Sequence, residues 1–146
     1  MLTADTCPFC TSPCNMDHCP YTKNRSPMIN LFITFYSMVN GIDPYISFKM
    51  AKIESSMNPT AISKTNDGGL FQLNRNFYRF HNPKWIFIPE TNIAIALHTL
   101  GKLKGKCKHT KNNLYVLCYN RGITGAYKIK KPLEQAYYKK FNLLWK

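Results

Sequence analysis

The chain is organised around residues 50–59, MAKIESSMNP, which place one carboxylate, Glu54, close to the end of a short apolar helix. A carboxylate in the last turn of a helix, against apolar side chains, is disfavoured as an anion by the helix dipole and by desolvation. Both effects raise its pKa, as a general acid near neutral pH requires. The alternative is a solvated glutamate on an amphipathic helix, which position alone does not exclude.

Length and charge limit the class of protein. At 146 residues, the chain is long enough for one domain with a hydrophobic core and too short for two. A hydrophobic fraction of 45% excludes a disordered chain. The formal net charge is +13, and because residues 1–25 are neutral the excess lies in residues 26–146. Such a field predicts an anionic partner, which can be nucleic acid, a membrane surface or a bacterial wall or envelope polymer.

The start of the chain resembles no secretion signal, because Met1 is not followed by a basic region and an apolar run. The longest apolar stretch, residues 28–39, is shorter than the roughly 20 residues of a membrane span. The sequence therefore predicts a soluble protein. If it acts outside a cytoplasm, phage lysis, a virion or a secretion system would have to deliver it.

Residues 1–25 are predicted to be a separate, loop-rich segment held together by cross-links. Cys7 and Cys10 have the two-residue spacing of a zinc knuckle, and Cys14, His18 and Cys19 could complete a structural zinc site. The alternative is a pair of disulfides. Because no secretion signal is visible, zinc is the favoured prediction, and free thiols are the third alternative.

Helical periodicity dominates the remaining residues, 26–146, which we expect to form a single catalytic domain. The predicted fold class is mostly α, with at most a small β-hairpin at residues 62–73 and a lysine-rich loop at 102–111. Cys107 in that loop and Cys118 could pair or remain buried thiols. The expected helices cover residues 27–39, 44–57, 113–119 and 133–144, with one more from about residue 91.

Only five carboxylates occur in residues 26–146, and most have a structural explanation. Asp43 caps a helix, Glu90 lies at a helix entry, and Glu134 lies in a first turn, where negative charge suits the dipole. Asp67 precedes glycine, a common turn pair, although it could also serve as nucleophile or base. Glu54 is therefore the leading candidate for a catalytic acid.

Three short motifs connect Glu54 to a known family. They are Glu54-Ser55, GLFQ at residues 69–72 and YNRG at residues 119–122. Their order and spacing resemble the lytic transglycosylase and goose-type lysozyme group, whose motifs are Glu-Ser, Gly-Leu-Met-Gln and Ala-Tyr-Asn-Ala-Gly. The resemblance covers residues 26–146, and QLN at residues 72–74 is most similar to small members that accompany phages and secretion systems. Further similarity lies at residues 41–44 and 58–63, at Pro89 and Asn92, and at Tyr137 with Phe141.

The chain also departs from the family pattern. Phe71 replaces the usual methionine, and Cys118 and Arg121 replace two alanines of the third motif. The first change preserves apolar volume, whereas Arg121 adds a charge where the family has a small residue.

The resemblance implies a lysozyme-like fold and cleavage of peptidoglycan without a catalytic cofactor. Glu54 would protonate the oxygen between N-acetylmuramic acid and N-acetylglucosamine, then deprotonate the muramic acid 6-hydroxyl to give a 1,6-anhydro end. One carboxylate suffices because the substrate's own group replaces the second. The implied substrate-binding residues are Ser55, Asp67, Phe71, Gln72, Tyr119, Asn120 and Tyr137, although both tyrosines could equally be core residues.

These features predict a monomeric lytic enzyme of a phage or mobile element, with peptidoglycan glycan strands as substrate. Anionic envelope polymers could contact its basic surface. A hydrolytic muramidase that uses Glu54 with Asp67 is the alternative within the same class. A basic, zinc-containing nucleic-acid-binding module is the alternative from another class, although nucleic acid is the less favoured partner.

Overall fold

The computed structural model describes residues 27–107 and 111–144 of the chain. Within them, five α-helices and one two-stranded antiparallel hairpin confirm the predicted mostly helical class. The zinc and disulfide alternatives for Cys7, Cys10, Cys14, His18 and Cys19 concern residues outside this description. The elements are α1 (Pro27–Val39), α2 (Pro44–Ser55), β1 (Asp67–Gly68), β2 (Leu73–Asn74), α3 (Pro89–Lys106), α4 (Tyr115–Tyr127) and α5 (Ala136–Leu143), with 3-10 turns at Pro83–Phe87, Lys111–Asn113 and Pro132–Glu134.

Helix α2 begins as the sequence predicts and ends earlier. The Asp43 carboxylate accepts a hydrogen bond from the backbone N–H of Tyr45 at 2.9 Å, and Pro44 occupies the first helical position. The expected end at Met57 is wrong, because Ser56 and Met57 both adopt left-handed conformations, with φ of 53° and 64°. Apolar periodicity misses this reversal because the Met57 side chain still points into the core, with 6% exposure.

Helix α3 begins at Pro89, close to the predicted start at about residue 91, and its end overlaps the predicted loop. The lysine-rich loop expected from residue 102 is wrong at its start, since α3 continues to Lys106. Lysines suit the negative end of the helix dipole, and Lys104 also donates to the carbonyl of Gly41 at 2.7 Å. Gly101 lies where α3 meets the end of α1, and a Cβ there would be 2.9 Å from the carbonyl oxygen of Asn40.

The last two helices also differ from their predicted bounds. Helix α4 extends beyond residue 119 to Tyr127, with an interruption at Gly122, whose φ and ψ are 69° and 162°. Helix α5 begins three residues later than expected, because Pro132 starts a separate 3-10 turn and Gln135 is extended. Because the helix starts later, Leu133 lies outside it and is exposed, and Tyr138 and Phe141 are the buried residues of α5.

The core lies between α3 and its neighbours. Helix α3 packs against α1 and α4, and α2 packs against α1 and α5. A disulfide between Cys107 and Cys118 joins the end of α3 to α4, which decides between the two alternatives for these cysteines. Among the described residues, no helix combines the length and apolarity needed to cross a membrane. The largest fully buried apolar side chains include Phe48, Met50, Leu70, Phe71, Ile93, Leu97 and Leu100.

One buried amide holds the loop between the two strands. The Asn92 side chain, on α3, accepts a hydrogen bond from the N–H of Phe71 at 2.9 Å. Its Nδ2 donates to the carbonyls of Gly68 at 3.0 Å and Ile86 at 2.9 Å. Asn92 is 1% exposed, so these bonds satisfy polar groups that water does not reach. They fix residues 68–71 against the start of α3.

Gly69 is required at this contact. Its φ is +80°, and a Cβ would lie 2.2 Å from Asn92 Nδ2 and 2.7 Å from the carbonyl oxygen of Ile86. Gly41 offers a matched comparison, because its φ is +66° but nothing lies within 4 Å of its added Cβ. Substitution by alanine would strain the backbone at both glycines, but only at Gly69 would the added methyl group clash with neighbouring atoms.

We expect Gly41→Ala to lower the free energy of unfolding by about 1–2 kcal/mol, from the left-handed backbone alone. Gly69→Ala should cost roughly 2 kcal/mol more, because the methyl group displaces the Asn92 amide and leaves buried polar groups unpaired. Urea denaturation followed by circular dichroism measures both. Equal losses of unfolding free energy in the two variants would contradict the close contact between Gly69 and the Asn92 amide.

Candidate active site

A cleft of about 300 Å³ opens beside the end of α2. The hairpin, α3 and α4 supply the other walls. Glu54 is the penultimate residue of α2, so the helix delivers its carboxyl group to this cleft. The lining residues are Glu54, Asp67, Gln72, Leu73, Asn74, Tyr78, Thr99, Leu103, Tyr119 and Asn120.

The environment of Glu54 favours its neutral form. Burial raises the pKa of Glu54 to about 7, and the negative charge of Asp67 adds to the rise. The Tyr137 hydroxyl opposes it by donating a hydrogen bond to Glu54 Oε1 at 2.6 Å, which stabilises the carboxylate. Near neutral pH, the group can therefore both give and take a proton.

Both predicted tyrosines make specific hydrogen bonds in addition to packing. Tyr137 comes from α5, 83 residues from Glu54 along the chain. Tyr119, on α4, donates to the carbonyl of Phe71 at 2.9 Å. Burial raises the pKa of each phenol well above its usual value, and the nearby Glu54 charge raises it further. Both hydroxyls therefore remain protonated donors.

Ser55 and Gln72 order the backbone around the cleft. Ser55 Oγ is placed to donate to the carbonyl of Leu70 at 2.8 Å, across 15 residues, and lies 3.2 Å from that of Ala51. Gln72 Nε2 donates to the carbonyls of Gly69 at 2.8 Å and Ala61 at 3.2 Å. Because its amide hydrogens are engaged, Gln72 offers its side-chain oxygen to a ligand. Its left-handed φ of 49° is the kind of strain that collects at functional sites.

Phe71 differs from the predicted substrate contact. Its side chain is 1% exposed and belongs to the core, and Phe71 does not line the cleft. Its backbone N–H and carbonyl instead bind Asn92 and Tyr119. Phe71 therefore stabilises the loop beside the cleft through its backbone and does not face the cleft itself.

Asp67 lies in β1 rather than in the turn pair predicted for it with Gly68. Its Oδ2 accepts from the Ser63 hydroxyl at 3.0 Å and from the Thr65 hydroxyl, and its Oδ1 accepts from Asn74 Nδ2 at 2.8 Å. These bonds tie its carboxylate to residues 63 and 65 of the preceding segment and to Asn74 on β2. Asp67 nevertheless lines the same cleft as Glu54.

The third motif contributes unequally to the site. Asn120 lines the cleft, as the resemblance implied. Arg121 is exposed and does not line it. Gly122 takes a backbone conformation that favours glycine and interrupts α4 directly after these residues.

Sequence reasoning missed part of the wall. Tyr78 and Thr99 line the cleft, and their hydroxyl oxygens lie 3.2 Å apart. Leu103 of α3 also lines the cleft, and Thr99 stands one turn before it on the same face. Continuing the helical periodicity through Gly101 would have indicated both positions.

The described residues contain no group of three or more His, Cys, Asp or Glu side chains that could hold a metal ion. The cysteines of residues 1–25 lie outside this statement. The predicted structural zinc stays a prediction.

Solved structures share this arrangement of helices. An inactive variant of the lytic transglycosylase from Pseudomonas aeruginosa superposes with a TM-score of 0.56 at 19% identity, covering 69% of this chain and 18% of that one. The 70-kDa soluble lytic transglycosylase from Escherichia coli gives 0.57 at 21% identity, covering 75% and 18%. The 70-kDa soluble lytic transglycosylase in complex with bulgecin A gives 0.57 at 20% identity, covering 77% and 18%. The chain thus spans less than a fifth of each of these proteins, and the likeness concerns the fold.

Comparison with curated proteins finds no match. The family model for the transglycosylase SLT domain matches residues 32–144. These residues include the end of α2, the GLFQ loop, the YNRG segment and Tyr137. The chain therefore belongs to the transglycosylase SLT domain family, which confirms the resemblance drawn from its three motifs.

Proposed function

We propose that this protein cleaves the β-1,4 bond between N-acetylmuramic acid and N-acetylglucosamine in peptidoglycan by lytic transglycosylation. The observation that carries the proposal is the Glu54 carboxyl group, held in the cleft of an SLT domain with its pKa raised to about 7. Residues 26–146 would form the catalytic domain. No cofactor takes part in the chemistry that we propose.

Glu54 would perform both proton transfers. The protonated carboxyl gives its proton to the glycosidic oxygen while the bond from the anomeric carbon to that oxygen breaks. The resulting carboxylate accepts the proton of the muramic acid 6-hydroxyl as its oxygen bonds to the anomeric carbon. The product carries a 1,6-anhydro ring, Glu54 ends protonated, and no water is consumed.

The surrounding residues would control this cycle. The Tyr137 hydroxyl stabilises the carboxylate formed after the first proton transfer, through its 2.6 Å hydrogen bond. Burial raises the pKa of Glu54 to about 7, so a large fraction of the acid would be protonated near neutral pH when substrate arrives. We propose that Gln72 and Asn120 bind N-acetyl or hydroxyl groups of the glycan, since both line the cleft. Ser55, Tyr119 and Phe71 would position the loop that carries Gln72.

A hydrolytic muramidase remains the second candidate, because Asp67 lines the same cleft as Glu54. In that mechanism Asp67 would act as nucleophile or would activate water. Its hydrogen bonds from Ser63, Thr65 and Asn74 favour a structural role instead. The reaction product separates the two candidates.

We further propose that the protein is a monomer that acts on the bacterial wall, as a phage or virion-associated lytic enzyme. The formal net charge of +13 supports contact with anionic envelope polymers rather than with neutral glycan alone. A secretion-system enzyme would use the same chemistry and differ in delivery.

Glu54→Gln should reduce cleavage of purified peptidoglycan by at least about a hundredfold, because general acid catalysis typically contributes 10²–10⁴. Mass spectrometry of wild-type digests should show 1,6-anhydro ends. Glu90→Gln is the matched control, since Glu90 is exposed and bonds to the Tyr36 hydroxyl away from the cleft. Reducing ends would support the muramidase, and full activity of Glu54→Gln would refute the proposed role.

The same variant should be more stable than the wild type at high pH. Because the folded-state pKa of Glu54 is raised from 4.5 to about 7, the folded protein binds the proton more tightly than the unfolded chain. The contribution of protonated Glu54 to the free energy of unfolding is full below pH 4.5 and is lost as the pH rises through about 7. This is a change of about 3 kcal/mol. In urea denaturation, the free energy of unfolding of Glu54→Gln relative to that of the wild type should therefore rise between pH 4.5 and about 7. A difference between the two proteins that does not vary with pH would contradict the raised pKa.

Tyr137→Phe should move the alkaline limb of the pH profile of kcat/KM to higher pH. Removing the donated hydrogen bond destabilises the carboxylate and raises the Glu54 pKa further. Tyr119→Phe is the comparison, because that hydroxyl bonds to the Phe71 carbonyl and not to Glu54. Tyr119→Phe should leave the alkaline limb of the profile at its wild-type pH, whatever its effect on the rate. A downward shift for Tyr137→Phe would be inconsistent with the geometry.

A further inference from the structure

A second pocket adjoins the cleft. It has a volume of about 200 Å³ and shares Tyr78 with the cleft as a common wall. Two arginines and several apolar side chains line it, whereas the charged residues that line the cleft are the carboxylates Glu54 and Asp67. Its lining residues are Asn66, Arg75, Tyr78, Arg79, Phe80, Pro83 and Ile86.

Arg75 is held in place by uncharged neighbours. Its Nη1 donates to Asn66 Oδ1 at 3.2 Å, and its guanidinium carbon lies 5.6 Å from the centre of the Phe87 ring. Its backbone N–H also bonds to the carbonyl of Asn66 at 3.0 Å. None of these contacts neutralises the positive charge. The ring and the amide restrain the guanidinium plane before any ligand arrives.

Arg79 is joined to the same framework. Its Nε donates to the carbonyl of Asn76 at 3.3 Å, and Asn76 Oδ1 accepts from Asn66 Nδ2 at 3.1 Å. The two arginines are thus linked through two asparagines. A guanidinium has five N–H donors, and these bonds engage one nitrogen of each. Further donors on both side chains are available to an anion in the pocket.

The chemistry of the pocket favours a carboxylate on a short aliphatic chain. Both arginines line the pocket, and a guanidinium suits a planar, two-oxygen acceptor. Phe80, Pro83 and Ile86 suit the carbon atoms attached to it. A neutral sugar would leave both charges unused. In peptidoglycan, the peptide stem on muramic acid carries such carboxylates and projects from the glycan strand.

We propose that the Arg75–Arg79 pocket is a subsite for a carboxylate of the peptide stem, beside the sugar bound in the cleft. The proposal rests on the proposed peptidoglycan activity and specifies which part of that polymer the enzyme recognises. It makes stem-bearing strands the preferred substrate. It also places substrate selection on the loop after β2, away from Glu54.

The test compares one substrate in two chemical states. Peptidoglycan purified free of phosphate-containing polymers is assayed before and after chemical amidation of its stem carboxylates. We expect amidation to lower kcat/KM of the wild type about tenfold, the size expected of one lost charge-assisted interaction. Arg75→Gln/Arg79→Gln should cleave both forms at the same low rate. Lys128→Gln/Lys130→Gln removes the same amount of charge from exposed positions outside both pockets and should keep the wild-type preference.

The preference between the two forms does not depend on the fraction of folded enzyme, so reduced stability of a variant does not imitate the expected result. If the double variant does not fold, Arg79→Gln alone replaces it in the test, because the Arg79 side chain is exposed. We expect this single variant to lose part of the preference for the unamidated form. A wild type with no preference, or an Arg79→Gln variant with the full preference, overturns the subsite. A preference that appears only when phosphate-containing polymer is left on the wall also overturns it. Failure of the wild type to cleave either form would instead refute the proposed activity.

Discussion

The architecture of the cleft depends on the three hydrogen bonds of the Asn92 amide. They join α3 to the carbonyls of Gly68 and Ile86 and to the N–H of Phe71, in a place that water does not reach. A buried amide is costly when unpaired and specific when fully paired. The constraint also explains why residue 69 has no side chain. Once this loop is fixed, Ser55 and Gln72 have defined carbonyl groups to bind.

A second feature of the site works against stability. Glu54 lies in a partly apolar environment at the end of α2, and its ionisation there is unfavourable. A surface position would cost nothing but would give an ordinary carboxylate, which is a poor proton donor at neutral pH. The fold tolerates this position because the core of α2, α3 and α4 is well packed and Tyr137 compensates part of the cost. Burial of Glu54 thus both raises its pKa to about 7 and makes its ionisation unfavourable for the fold.

Local features of the sequence were sufficient to predict much of this arrangement. Capping and proline signals located the start of α2, and the scarcity of carboxylates, together with three motifs, selected Glu54. Long-range contacts were beyond such reasoning. The bond from Tyr137 to Glu54 spans 83 residues, and the Asn92 bonds depend on how a loop meets a helix that follows it. Periodicity also failed where Met57 stays buried outside its helix, because burial does not reveal backbone direction.

The disulfide between Cys107 and Cys118 has a consequence for the shape of the cleft. Thr99 and Leu103 of α3 form one wall, and Tyr119 and Asn120 of α4 form another. Cys107 follows the end of the first helix, and Cys118 directly precedes Tyr119 in the second. The covalent link therefore limits how far the two walls can separate when a ligand enters the cleft. It does so only where the surroundings allow thiols to oxidise, which couples the width of the cleft to the compartment in which the protein works.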